Sequence, residues 1–387
     1  RADETSAPLD RKNATGDFRF LTCAPRAVRR ALVMIGVYVH LPFCRVHCSY
    51  CPFAISTDIE LQDRYVDALV REISDEKADT VYFGGGTPSR TSISNLRRIV
   101  EALNIAPDAE FSLEANPEDV TEEALEAWKD LGVNRISIGV QSFNDDELKA
   151  IGRVHDSADA VRAVEQASHV MRTNLDLILG LPHQTRDSFA KTLDQAVALN
   201  PGHLSLYMLD LDETTPLKVQ VARGRVEVPD DDLVAEQYKY AIERLEAAGL
   251  HQYEISNFAR EGEECRHNLR YWTRGEYLGF GLAAHSFLEE KRFANTRNIH
   301  DYIADPEHAR DFMEHLGDDE RRRETLFLGL RQTSGINYDQ LVALCGQEAI
   351  EWVRRGLRDG WLERHEARVA FTPSGFLLSN DYISQLF

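Results

Sequence analysis

The alternation of apolar and polar positions divides the chain after Met34 into short strand-like and longer helix-like segments. Six runs rich in branched and aromatic residues are typical of strands, and the segments between them carry apolar residues at helical spacing. Leu125 and Trp128 illustrate that spacing, because residues three apart share one face of a helix. The predicted strands are 36–41, 80–83, 110–114, 135–140, 174–179 and 203–208, and the predicted helices between them are 61–73, 93–103, 121–131, 158–171 and 188–199.

Strands that alternate with helices are typical of a parallel sheet with right-handed crossovers. Six such units are too few for a closed barrel of eight, so the sequence predicts an α/β fold with an open, partial (β/α)6 barrel. We assign this core to residues 34–220 and a connecting region to residues 221–314. Helix-like segments over 321–332, 338–344 and 347–359 and a small hairpin predict a C-terminal helical accessory domain, similar to a winged helix, over residues 315–387.

Composition and charge narrow the class of protein further. The net charge of −20 disfavours binding to nucleic acid. No apolar run reaches the roughly 18 residues of a membrane-spanning helix, so we expect no stable membrane insertion. Residues 1–33 carry seven Lys and Arg against four Asp and Glu and show no clear period, which predicts an N-terminal extension with little ordered structure. A transit peptide is the alternative, but its composition would be poorer in acidic residues.

Three cysteines follow the first predicted strand in the pattern C-x3-C-x2-C. Thiolates at Cys44, Cys48 and Cys51 could bind three irons of a [4Fe–4S] cluster, which leaves the fourth iron open to a small molecule. The amino and carboxylate groups of an amino acid could chelate that iron, and S-adenosylmethionine (SAM) carries both. Structural zinc usually takes four ligands from paired motifs, and disulfides suit six cysteines in 387 residues poorly. A thiolate-bound cluster suits the reducing cytoplasm, where we expect the protein to be.

Glycines and polar residues follow the other predicted strands, where the carboxyl ends of a parallel sheet meet. The glycines after the second strand would let a ligand approach the backbone, although a tight turn would need glycine equally. The carboxylates could accept hydrogen bonds from ribose hydroxyls or an ammonium group, or could cap helices. The arginine could bind a carboxylate with two hydrogen bonds, or lie on the surface. The residues concerned are Gly85, Gly86, Thr87, Glu114, Gln141, Arg153 and Asp176.

The sequence Y-V-H-L-P-F-C-x3-C-x2-C-x-F around the cysteines resembles one branch of the radical SAM proteins. That branch contains oxygen-independent coproporphyrinogen III dehydrogenase (HemN) and the heme chaperone HemW, and the resemblance covers essentially all of residues 34–387. It implies a [4Fe–4S] cluster on the three cysteines. It also implies that the seven residues above, together with Tyr38, surround SAM.

A second motif, C-R-H-N-L-R-Y-W over residues 265–272, lies in the connecting region. Taken alone, His267 is more often a structural histidine than an iron ligand, and Tyr271 and Trp272 could be ordinary core residues. The string H-N-x-x-Y-W resembles the signature that separates HemW from the dehydrogenase. The resemblance therefore implies that His267, Tyr271 and Trp272 contact heme, with His267 as an axial ligand of the iron.

Two functions within this family remain to be weighed. One is a heme chaperone that delivers heme to hemoproteins of respiratory chains and receives electrons for its cluster from a donor. The alternative is the dehydrogenase, which decarboxylates coproporphyrinogen III to protoporphyrinogen IX. Phe53 stands where the dehydrogenase carries a fourth cysteine, in C-x3-C-x2-C-x-C, and this favours the chaperone. Whether the chain is an enzyme stays open, and dehydrogenase activity is not expected.

Overall fold

Twelve strands form one mixed sheet in the computed structural model, which describes residues 34–387. The extension predicted over residues 1–33 lies outside the described residues. The strands of the sheet are β1 (Ile35–Leu41), β2 (Lys77–Gly85), β3 (Asn104–Ala115), β4 (Arg135–Gln141), β5 (Arg172–Leu179), β6 (His203–Met208), β7 (His251–Gln252), β8 (Asn257–Ala259), β9 (Tyr277–Phe280), β10 (His285–Leu288), β11 (Lys291–Asn295) and β12 (Arg310–His315). The helices are α1 (Gln62–Glu72), α2 (Ile93–Ala102), α3 (Glu122–Asp130), α4 (Asp145–Ala150), α5 (Ser157–Ser168), α6 (Arg186–Ala198), α7 (Pro216–Ala222), α8 (Asp231–Glu246), α9 (Arg266–Trp272), α10 (Ile299–Ala304), α11 (Asp318–Leu330), α12 (Tyr338–Cys345), α13 (Gln347–Arg358), α14 (Pro373–Phe376) and α15 (Ser379–Ser384).

Strands β1 to β6 lie side by side in chain order and run parallel, as the partial (β/α)6 barrel requires. The five predicted helices are present as α1, α2, α3, α5 and α6, and they form the crossovers. The largest difference in strand limits is in β3, which begins at Asn104 rather than at Glu110. Its first half contains Pro107 and Asp108, residue types that are depleted in strands, so the pattern used for prediction begins only later.

The parallel strands are apolar on one face and polar on the other. Val37 and Phe83 are buried in the core with the side chains of the crossover helices. Successive residues of a strand point to opposite faces. On the opposite face, Tyr82, Glu114 and Asp176 line a cavity at the carboxyl ends of the strands. The barrel interior is therefore a polar space that can hold a ligand.

Side-chain caps determine where several of the helices begin. Asp156 forms a capping box with Asp159 at the start of α5, and Thr121 accepts a hydrogen bond from the backbone N–H of Ala124 in α3. Asp230, in an acidic segment at the start of α8, accepts a hydrogen bond from the backbone N–H of Leu233 at 2.8 Å. Caps of this kind stabilise a helix by about 1 kcal/mol each.

The sheet extends beyond the six parallel strands on both edges, which the sequence did not indicate. Strand β9 pairs parallel with β1, and β10 to β12 continue from it as antiparallel strands. Strands β8 and β7 extend the other edge beyond β6. Strands of two to six residues show too few alternations to stand out from loops. As a result, strands on both sides of the boundary predicted at residue 220 belong to one sheet.

The end of the chain forms a small three-stranded sheet packed with helices, in agreement with the predicted helical accessory region. The sheet contains β13 (Ile336–Asn337), β14 (Leu362–His365) and β15 (Arg368–Phe371), with β15 in the middle. The rings of Trp352 and Tyr382 stack at 4.6 Å and join α13 to α15. Within the described chain, no helix combines the length and the apolar character needed to cross a membrane.

Candidate functional site

Residues at the carboxyl ends of the parallel strands surround a cavity of about 370 Å³. Ten of the eleven residues predicted to bind the cluster or SAM line this cavity. They come from separate segments of the chain, so the parallel sheet, rather than closeness in sequence, brings them together. The ten are Cys44, Cys48, Cys51, Gly85, Gly86, Thr87, Glu114, Gln141, Arg153 and Asp176.

Backbone hydrogen bonds hold the loop that carries the three cysteines. The N–H of Cys44 donates to the carbonyl of Ser56 at 2.9 Å, and the N–H of Ser56 donates to that of Pro42 at 2.8 Å, which closes the loop at its base. At its tip, the N–H of Ser49 donates to the carbonyl of Ile151 at 3.2 Å. The path of the loop is thus set by contacts within the protein.

The three thiols lie in the cavity wall, and none of them is in a disulfide. Within residues 34–387, no group of three His, Cys, Asp or Glu side chains is arranged around a single metal ion. A cubane cluster takes one thiolate at each iron, so its ligands need not converge on one point. Burial raises the pKa of Cys44 to about 11, although Thr87 Oγ1 donates to its sulfur at 3.3 Å. Burial also raises the pKa of Cys51, so cluster assembly must release protons.

Gly85 and Gly86 allow the end of β2 to pack directly against the start of the cysteine loop. A Cβ atom on Gly86 would lie 2.5 Å from the carbonyl carbon of Pro42. A Cβ atom on Gly85 would lie 2.5 Å from the ring of His40, and Gly85 has a φ of 110°. Both glycines are therefore required by the packing of the protein itself, in addition to any approach of a ligand.

Two carboxylates place negative charge in the cavity wall. Glu114 accepts hydrogen bonds from the N–H of Gly85 at 3.1 Å and from the hydroxyl of Tyr82 at 3.0 Å. Burial, followed by the charge of Asp176, raises the pKa of Glu114 to about 7. Burial also raises the pKa of Asp176, which accepts from Ser137 Oγ at 2.9 Å. A cationic group in the cavity would favour the ionised form of both, so the wall suits a positively charged ligand.

Gln141 and Arg153 complete the wall beside these carboxylates. Gln141 ends β4 at an irregularity of the sheet and has a φ of 66°, a left-handed conformation that is uncommon outside glycine. Arg153 Nη2 donates to the carbonyl of Gly139 at 2.7 Å and to Asn116 Oδ1 at 2.8 Å. Its Nε is buried and has no hydrogen-bond partner among the described residues. The side chain of Arg153 also lines the cavity, and a guanidinium in such a wall suits a carboxylate ligand.

Tyr38 is the one residue of the predicted SAM set that does not line the cavity. Its ring stacks on that of Tyr82 at a centroid distance of 6.3 Å, and its hydroxyl lies 3.2 Å from His40 Nδ1. Tyr82, which the sequence prediction did not include, lies in the wall instead. A signal for Tyr82 was available, because it lies at the carboxyl end of the predicted strand 80–83, where the predicted ligand-binding residues gather.

The residues of the H-N-x-x-Y-W string lie in α9 and do not line the cavity. His267 is 1% exposed, with Nδ1 at 2.9 Å from Thr80 Oγ1 and Nε2 at 2.8 Å from the hydroxyl of Tyr271. Burial, assisted by the nearby Arg270, lowers the pKa of His267 to about 3. The carbonyl of Trp272 accepts a hydrogen bond from a glutamine side chain in the segment that follows α11. In this conformation both ring nitrogens of His267 are occupied by protein groups.

Comparison with known proteins assigns this fold and cavity to a family. The Radical SAM superfamily matches residues 38–196, and the HemN C-terminal domain matches residues 316–378. The heme chaperone HemW of Bacillus subtilis is 35% identical over 370 residues, which cover 90% of this chain and 98% of that protein. The chain belongs to the HemW family of radical SAM proteins. HemW of Synechocystis is 36% identical, over a match that covers 92% of this chain and 97% of that protein. The mouse mitochondrial protein named radical S-adenosyl methionine domain-containing protein 1 is 35% identical over 81% of this chain.

These matches confirm the family that the motifs suggested, and membership of that family implies a [4Fe–4S] cluster and SAM. The solved structure of coproporphyrinogen III oxidase (HemN) from Escherichia coli has a TM-score of 0.79 with this chain. The match covers 91% of this chain and 90% of the HemN chain at 24% identity. At that identity the likeness shows the fold alone. The predicted α/β fold is therefore confirmed.

Proposed function

We propose that this chain is a heme chaperone that holds a [4Fe–4S] cluster, SAM and heme and delivers heme to hemoproteins of respiratory chains. The observation that carries the proposal is the 35–36% identity to proteins named heme chaperone HemW over 90% or more of both sequences. The cavity at the strand ends supports the cofactors, and the H-N-x-x-Y-W string supports heme. An electron donor for the cluster and a cytoplasmic location are parts of the same proposal.

In the proposed cluster site, Cys44, Cys48 and Cys51 each bind one iron. The cluster and SAM together would supply one-electron chemistry, while the protein fixes their positions and excludes water. We expect about four irons per chain after anaerobic reconstitution of the wild-type protein, and a large loss in Cys48→Ser. Cys345→Ser is a matched control, because Cys345 is half-buried like Cys48 but does not line the cavity. Equal iron contents in Cys48→Ser and wild type would rule out the assignment.

In the proposed SAM site, the carboxylate wall faces the positive charges of the ligand and Arg153 faces its carboxylate. The remaining residues of the set are Tyr38, Gly85, Gly86, Thr87, Glu114, Gln141 and Asp176. We expect Glu114→Ala to weaken SAM binding by about 1–3 kcal/mol, the cost of losing a buried hydrogen-bond acceptor. Anaerobic equilibrium dialysis with labelled SAM would measure the change. Unchanged affinity would mean that Glu114 only supports the protein structure.

Heme contact through His267, Tyr271 and Trp272 is a further part of the proposal, with a condition set by the geometry. His267 can reach a heme iron only if its bond to Thr80 or to Tyr271 breaks, because both ring nitrogens are occupied. A hydrogen bond of this kind contributes about 1 kcal/mol net, so one bond to iron could replace it. Heme titration of wild type and His267→Ala tests this step. Lower affinity with a shifted Soret band would support ligation, whereas identical spectra would exclude His267 as the ligand.

Phe53 bears on the choice between the chaperone and the dehydrogenase. Its side chain is 62% exposed in the cavity wall, where the dehydrogenase pattern has a fourth cysteine. Several other exposed hydrophobic residues line the same cavity, and apolar exposure of this kind is typical of contact with a ligand or partner. These residues are Val46, Val154, Tyr207 and Met208. The wall thus offers apolar contact at the position of the missing thiolate, which favours binding over porphyrinogen chemistry.

A further inference from the structure

A buried carboxylate fixes α9, the helix of the H-N-x-x-Y-W string, to the sheet. Glu110 in β3 accepts hydrogen bonds from the backbone N–H groups of Arg266 at 3.1 Å and His267 at 2.9 Å. These are the first two residues of α9, whose N–H groups have no acceptor within the helix. On the neighbouring strand, Thr80 bonds the imidazole of His267. The helix is therefore held against both β2 and β3.

From this position His267 contacts a residue of the cavity wall. The rings of His267 and Tyr82 stack at a centroid distance of 5.3 Å and an interplanar angle of 26°. Tyr38 stacks on Tyr82 with an interplanar angle of 22°, so Tyr82 has an aromatic neighbour in each of two elements. The hydroxyl of Tyr82 donates to Glu114 Oε1 at 3.0 Å. A continuous set of contacts thus joins α9 to a carboxylate of the cavity.

We infer that His267 is a positioning residue for the SAM pocket, acting through Tyr82 on Glu114. The inference rests on the proposed SAM site. Without the imidazole, the ring of Tyr82 gains space to rotate, and its hydroxyl no longer holds the carboxylate in one orientation. The bond from Tyr271 to Nε2 fixes the plane of the imidazole that stacks on Tyr82. The second motif of the sequence therefore serves the cofactor site at the strand ends.

Two substitutions at residue 267 separate ring stacking from hydrogen bonding. His267→Gln keeps a hydrogen-bonding side chain but removes the ring, whereas His267→Phe keeps a ring against Tyr82. We expect His267→Gln to raise the dissociation constant of SAM about three- to tenfold in the anaerobically reconstituted protein. We expect His267→Phe to remain within about twofold of wild type, since its ring preserves the stack. Arg266→Ala is the control, because this exposed side chain on the same helical turn should leave SAM affinity unchanged.

A double variant tests whether His267 acts through Tyr82. Tyr82→Phe should weaken SAM binding about three- to tenfold, and adding His267→Gln to it should weaken binding no further. The inference is overturned if His267→Gln binds SAM as wild type does, or if its effect is the same in both backgrounds. Iron content and melting temperature show whether each variant folds. If His267→Gln does not bind iron, the test rests on Tyr82→Phe, and an unchanged affinity of that variant for SAM overturns the inference. Absence of SAM binding by the wild-type protein would instead reject the proposed SAM site.

Discussion

The close approach of β2 to the cysteine loop predicts a clear effect of adding one methyl group at Gly86. The new Cβ atom would lie 2.5 Å and 2.6 Å from the carbonyl carbon and oxygen of Pro42, and 2.9 Å from the oxygen of Leu41. All three are backbone atoms, so relief requires the two strand ends to separate. Overpacking of this kind lowers the free energy of unfolding by about 1–3 kcal/mol. For a chain of this size, that corresponds to a fall in melting temperature of about 1–4 °C.

Thermal melts of the iron-free protein and iron content after reconstitution would both report on Gly86→Ala. We expect lower iron content as well, because the N–H of Gly86 donates to Leu41 at 3.0 Å and the next residue bonds the sulfur of Cys44. Gly329→Ala is a control, since its new Cβ would have no neighbour closer than 4.0 Å and a helical alanine is favourable. If Gly86→Ala melts at the wild-type temperature and binds about four irons, the close approach is not a constraint.

Three further substitutions test other parts of the fold. Burial raises the pKa of Glu254 from 4.5 to about 7, so the folded protein binds more protons between these values and loses about 3 kcal/mol of stability as the pH rises through them. Glu254→Gln should remove this dependence of stability on pH. The prediction is contradicted if the difference in melting temperature between wild type and variant stays constant from about pH 5 to 8. Tyr65→Phe should lower the free energy of unfolding by about 1–3 kcal/mol in denaturant melts, because the buried hydroxyl donates to the carbonyl of His40 at 2.6 Å. Tyr240→Phe, at an exposed tyrosine, is the control and should change the free energy of unfolding little. Equal losses in the two variants would refute the prediction. Ala283→Gly should raise the melting temperature slightly, because the φ of Ala283 is 53°, and a fall would show that lost chain entropy outweighs the relieved strain.

The barrel core and its cavity could be predicted because both depend on short-range patterns. Leu125 and Trp128 in α3 are both buried, as their helical spacing predicts. The cavity could be located without knowing any contact, because the carboxyl ends of neighbouring parallel strands always lie at one edge of the sheet. Glu114 and Asp176 meet there although 62 positions separate them in the sequence.

The surroundings of His267 could not be predicted because its partners are distant in the sequence. Glu110 and Thr80 lie 157 and 187 positions from it, and no local pattern links a strand residue to a helix at that separation. The exchange of Tyr38 for Tyr82 in the cavity wall has a similar cause. The two residues are cross-strand partners on one face of the sheet, so the strand pattern alone does not tell which of them lines the cavity.

Heme transfer measured beside porphyrinogen turnover tests the proposed function most directly. The anaerobically reconstituted protein, loaded with heme, would be mixed with a heme-free b-type hemoprotein, and the Soret band of the acceptor would be followed. The same preparation would be incubated with coproporphyrinogen III, SAM and a reductant. A heme chaperone forms a stable heme complex, loses heme to the acceptor and yields no protoporphyrinogen IX. Formation of protoporphyrinogen IX by a protein that forms no stable heme complex would contradict the proposed function and establish the dehydrogenase in its place.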